Sequence, residues 1–101
     1  MSDEVKIGCG ELACPRCGHN YVRVEMVTLY RRGDDAEITE IVRADMYGKS
    51  LHVDAVASDM SGNPSARREG LSLQIRCEEC KHPVTLNIAQ HKGVTLLNWR
   101  L

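Results

Sequence analysis

Four of the five cysteines in this 101-residue chain stand as two Cys-x-x-Cys pairs, Cys14-Pro15-Arg16-Cys17 and Cys77-Glu78-Glu79-Cys80. A gap of two residues lets the backbone turn tightly enough for both sulfurs to reach one ion at about 2.3 Å, with N–H groups of the turn aimed at the thiolates. Two such pairs supply the four soft ligands of one tetrahedral ion. Cys14, Cys17, Cys77 and Cys80 are therefore expected to hold a single structural Zn2+. The competing chemistry is thiol redox, since a Cys-x-x-Cys pair can shuttle a disulfide. Redox pairs usually open a helix, whereas both pairs here fall between predicted strands. Catalysis by the metal is disfavoured as well, because a catalytic zinc keeps an open position beside three protein ligands and four cysteines close it. The sequence has no His-Glu-x-x-His, and no His-x-Glu matched to Pro-Cys-x-x-Cys. The chain is expected not to be an enzyme.

Residues beside the sulfurs refine this picture. Gly18, after Cys17, supplies the left-handed backbone that such a turn often requires. Lys81 occupies the equivalent place after Cys80, where a side chain costs about 1 kcal/mol of strain. His19 and His82 each stand two residues past the second cysteine of their pair. With four sulfurs present, both histidines are expected to flank the site rather than ligate. Cys9 reads as a small packed residue or an idle thiol.

The run Cys14-Pro15-Arg16-Cys17-Gly18 resembles the first knuckle of zinc ribbons and rubredoxins. The second knuckle departs from that pattern at Lys81, and 59 residues separate the two knuckles, far more than in compact ribbons. The resemblance covers the knuckles and their flanking strands, and implies a zinc-ribbon-like sheet carrying a large β insertion over residues 20–76. The later stretch, Ser61-Gly62-Asn63-Pro64-Ser65-Ala66-Arg67-Arg68 through Gln90-His91-Lys92-Gly93 and Trp99, is also similar to small uncharacterised bacterial zinc-ribbon proteins of genomes and mobile elements. That similarity names no activity.

The elements that must position the knuckles are mostly strands. Val22, Val24 and Met26 alternate with Arg23 and Glu25, the period of a strand with one buried face. Arg31-Arg32-Gly33-Asp34-Asp35 reads as a solvated turn in which the aspartates answer the arginines. Residues 36–46 fit either a helix face or a strand, and their β-branched content favours the strand. A turn at Tyr47-Gly48-Lys49-Ser50 leads into a strand with Leu51, Val53, Ala55 and Ala57 on one face. His52 and Asp54 share the other, a solvent-facing stripe. Residues 58–70 form a loop in which Asn63 as cap, Pro64 as first helical residue and Gly70 as terminator frame a helical turn around Arg67 and Arg68. Leu71-Leu73-Ile75 and Val84-Leu86-Ile88 alternate again. A final strand places Leu97 and Trp99 on one face, Trp99 as a core plug. Every connection is short enough for antiparallel neighbours. The expected fold is all-β: a single domain over 1–101 built on an antiparallel sheet of about six strands.

Composition narrows the function. One Trp, three Tyr and no Phe leave a small core short of large rings, which a metal link would offset. The formal net charge of −1 is not that of a nonspecific nucleic-acid binder. No apolar run of membrane length occurs, nor an N-terminal secretory pattern, so reduced thiols, a cytoplasmic location and no membrane partner are expected. Asn63, Ser65, Arg67 and Arg68 form the best candidate binding loop, suited to phosphate or carboxylate. The plainer alternative is a solvated turn whose arginines pair with Glu69 or Asp59. The first expectation for function is a zinc-stabilised module engaging a protein partner, such as a mobile-element accessory or regulatory factor. The alternatives are nucleic-acid binding through Arg67 and Arg68 with Arg16, Lys81 and Lys92, and, last, thiol redox.

Overall fold

The structure, a computed structural model, describes residues 7–8 and 10–100; Cys9, and with it the expectation for its thiol, lies outside the described residues. A two-stranded hairpin, β1 (Ile7–Gly8) and β2 (Glu11–Leu12), opens the fold. Six further strands follow: β3 (Val22–Arg31), β4 (Ile38–Asp45), β5 (Ser50–Ala57), β6 (Gly70–Cys77), β7 (Pro83–His91) and β8 (Val94–Arg100). They form one antiparallel sheet in the order β5-β4-β3-β6-β7-β8. The all-β expectation holds, and residues 38–45 take the strand option.

Two three-stranded meanders are thus joined through β3 and β6. Short connections made every strand a candidate neighbour of the next, but β5 and β6 do not pair: the chain after β5 returns to the far side of β3. Residues 58–69 make the crossing. Their helical turn is the 3-10 turn Ser58–Met60, not one around Arg67 and Arg68. Asn63 is spent on the loop itself, with Oδ1 accepting from Ser65 N at 2.9 Å and Nδ2 donating to Arg68 O at 2.7 Å. A Cβ at Gly70 would fall on the Asn63 side-chain oxygen and against Pro64 and Ser65, so Gly70 is required by close approach rather than as a helix stop.

Register gives the sheet two unlike faces. Val53, Val42, Leu29, Leu71, Ile88 and Leu97, one from each strand, lie in a single row, and Leu51, Ala44, Val27, Leu73, Leu86 and Trp99 form the next row on the same face. The row on the opposite face reads His52, Arg43, Thr28, Ser72, Asn87 and Asn98. One strand departs from simple alternation. A bulge between Val24 and Met26 sets Met26 opposite Gln74, on the polar face, so the expected Val22-Val24-Met26 stripe breaks and Val27 and Leu29 continue it. The extra residue, Glu25, accepts from Arg76 Nε at 2.9 Å. On the apolar face the core is Ile75, Val84, Leu86 and Trp99, with Leu12, Val22 and Leu73 packed against it. Trp99 is the plug its sequence position suggested. The β5 stripe, by contrast, stays open, with Leu51 and Val53 each 66% exposed.

Candidate metal centre

The knuckles meet because β3 and β6 are antiparallel partners. Val22, at the start of β3, stands opposite Cys77, at the end of β6. One more bond, Glu78 N to Tyr21 O at 2.8 Å, carries the pairing past both strand ends. The residues just after Cys17 are thereby held beside Cys77, and four sulfurs from distant parts of the sequence converge at one end of the two central strands. Core residues Ile75 and Val84, side by side in the register, lie behind them.

Both knuckles close in the same way. Gly18 N donates to Cys14 O at 2.9 Å and Lys81 N to Cys77 O at 3.0 Å. Each donor has left-handed backbone, φ 81° at Gly18 and 63° at Lys81. Lys81 therefore carries the strain expected of a side chain in glycine's place. Arg16 N points at Cys14 Sγ at 3.4 Å, and Cys14 N donates to His19 O at 2.7 Å.

The four Sγ atoms all lie within 4.8 Å of one another. Across the pairs, Cys14 to Cys80 is 3.8 Å and Cys17 to Cys77 is 3.5 Å. A tetrahedral ion with metal–sulfur bonds of about 2.3 Å sets its sulfurs about 3.8 Å apart. A disulfide would bring two of them to about 2.05 Å. The spacing fits the ion and not the disulfide, and these four residues could hold one metal. Cys14 and Cys77 are buried while Cys17 is exposed, so the site sits at the surface with its inner ligands shielded.

The electrostatics point the same way. Burial disfavours a charged Cys77, but N–H groups of Cys80 and Glu79, with the neighbouring thiols, bring it down to about 7. At Cys17 the backbone N–H of His19 favours the thiolate, yet desolvation and the hydrogen bonds shared with Cys77, Cys14 and Cys80 push it up to about 12. Crowded sulfurs cannot all ionise unaided; a cation at their centre lets them do so. His19 and His82 do not join the sulfur cluster. His19 contributes its backbone and tilts its ring against Tyr21, with 5.6 Å between centroids.

The candidate loop is largely occupied by its own fold. Ser65 Oγ donates to Glu69 O and accepts from Gln90 N at 3.0 Å, tying the crossing to β7. Arg67 pairs with Asp35, Nε to Oδ1 at 2.7 Å, rather than with Glu69 or Asp59. Arg68 lies 3.7 Å from Glu69, one of the expected partners. The Arg31–Asp35 turn is also corrected: Arg31 pairs with Glu40, and Arg32 donates to the carbonyls of Ala36 and Ala66. Asp35 was missed as the anchor of the loop because 32 residues separate it from Arg67, and only the crossing brings them together. Arg67 and Arg68 do border an open cleft of about 210 Å³ with Asp34, Gln90, His91, Lys92 and Gly93. Lys92 is thus gathered with the two arginines. Arg16 and Lys81 lie with the knuckles, at the other end of β6.

Fold and site together define an all-β protein whose four clustered cysteines, at the end of its central strands, could hold a metal ion. Comparison with protein-family models, with curated proteins and with solved structures gave no match to this chain. Among the described residues, no helix is long and apolar enough to cross a membrane.

Proposed function

We propose that the chain is a non-enzymatic, zinc-stabilised binding module that engages a protein partner. The observation carrying this reading is the convergence of Cys14, Cys17, Cys77 and Cys80 at tetrahedral spacing. A set of four thiolates in a tetrahedron suits zinc, or iron in a rubredoxin-like centre. Zinc is the reading adopted: Cys14, Cys17, Cys77 and Cys80 would hold it, and it would supply cross-linking rather than reaction chemistry, because four sulfurs leave no open position. The large apolar sheet face supports a protein as the partner. The resemblance to mobile-element proteins names no activity, and nothing in the reading depends on it.

Elemental analysis of purified protein is expected to give one zinc per chain, with loss of the folded circular-dichroism signal on chelation. A colourless, metal-free protein that keeps its fold would defeat the reading, and an iron-coloured one would reassign the metal. The cleft beside Arg67, Arg68 and Lys92 favours a second reading, nucleic-acid binding. It ranks below the first because Asp35 and Glu69 already answer both arginines. Titration with DNA and RNA at two salt concentrations separates them: steeply salt-dependent binding that disappears in Arg67→Ala/Arg68→Ala would promote the second.

A further inference from the structure

We propose that the open part of the apolar sheet face is covered by a second copy of this chain, packed face to face as the layer that one copy lacks. The inference deepens the reading of the chain as a protein-binding module, and rests on it, by naming the partner as the chain itself. An antiparallel sheet can show one face to water, but its apolar face must be packed against something. Among the described residues, the core and Leu12 cover the face only near the knuckles. Away from them, Leu51 and Val53 are 66% exposed, Ile38 57%, Leu29 44% and Leu97 43%.

The area approaches that of a dimer interface. With side chains of ordinary size, these five residues alone leave roughly 500 Å² of apolar surface open, in the upper part of the range for a monomer and approaching the ~800 Å² per partner of a stable complex. The partly covered members of the same rows, Val42, Leu71 and Ile88 among them, add to it. Charge selects the occupant. On this face the strands carry only Arg31 and Glu40 as charged residues, and these neutralise each other at 3.6 Å. A charged partner would find no complement here, whereas a flat, uncharged apolar sheet would. This face is itself such a surface, and a two-fold pairing covers the same rows on both copies and closes the assembly.

Sedimentation equilibrium of the metal-loaded chain is the test. Twice the 11.3 kDa chain mass is expected at about 100 µM, with dissociation on dilution. Leu29→Lys/Val53→Lys places two charges in the central row and is expected to weaken association at least ~100-fold while leaving the metal content unchanged. Leu97→Lys, at the other end of that row, should act in the same direction and serves if the double variant does not fold. A zinc-loaded wild type that stays monomeric at about 100 µM overturns the proposal and leaves the zinc reading intact. Variants that dimerise as tightly as wild type also overturn it, moving the contact to an edge strand. A metal-free chain that dimerises through these rows would do the reverse, sinking the zinc reading and sustaining the dimer.

Discussion

Cys77 is the candidate ligand with the least freedom. It is the last residue of β6, fully buried, and lies 3.5 Å from Cys17 across the site. Cys77→Ser should abolish stoichiometric zinc, read by elemental analysis. Because structural zinc is worth ~10–16 kcal/mol in small domains, losing even part of it should erase the cooperative melt. Retention of one tightly held zinc in that variant would argue against a four-sulfur site. A second residue-scale expectation concerns Asp35, whose carboxyl the Arg67 guanidinium holds below the usual carboxylate range. A depressed folded value means that the pair's contribution is present above the ordinary carboxylate pKa and lost as pH falls through Asp35's lowered one. Both side chains are more than half exposed, so screening keeps the effect small. Carboxyl NMR should show Asp35 titrating at lower pH in wild type than in Arg67→Ala. Equal titration in both would remove the pair from the account of the loop.

At the scale of elements, the loop between β5 and β6 is held by shape. Adding a methyl at Gly70 would drive a carbon into Asn63, Pro64 and Ser65, so Gly70→Ala should cost about 1–3 kcal/mol by urea denaturation. Trp99→Ala empties the centre of the small core and should cost about 3–5 kcal/mol. A loss below 1 kcal/mol at Trp99 would mean that the core is not packed as described. The strands themselves were legible in the sequence, because alternation at β6, β7 and β8 follows directly from a half-buried sheet. The face taken by Met26 was not, since one extra residue in β3 reverses inside and outside and nothing local marks Glu25 as that residue. Nor was the exposure of Leu51 and Val53. Their alternation says that they share a face, and only the sheet order shows that β5 is an edge strand whose Leu51 and Val53 nothing covers among the described residues.

For the whole molecule, the proposed metal link would weigh against a small core in setting stability. The core cluster is four residues, and net stability of a domain is typically about 5–15 kcal/mol. Removing the proposed zinc, worth a similar amount, should therefore unfold the chain rather than loosen one end of the sheet. Chelation followed by hydrogen exchange should show protection lost across all six strands together. Protection that persists in β4 and β5 would instead make the outer meander independent of the metal.

The amino-acid sequence by itself determined the chemistry and the local geometry: two paired-thiol turns, glycine or its strained substitute after each, and strands of period two between them. These follow from short-range sterics and ligand reach, which a few consecutive residues contain. The tertiary structure alone decided that β3 lies against β6, which brings Cys14 and Cys17 to Cys77 and Cys80, joins Arg67 to Asp35, and aligns six apolar residues into a row. Those outcomes depend on which strands bury one another, a competition settled over the whole chain and written in no single stretch of it.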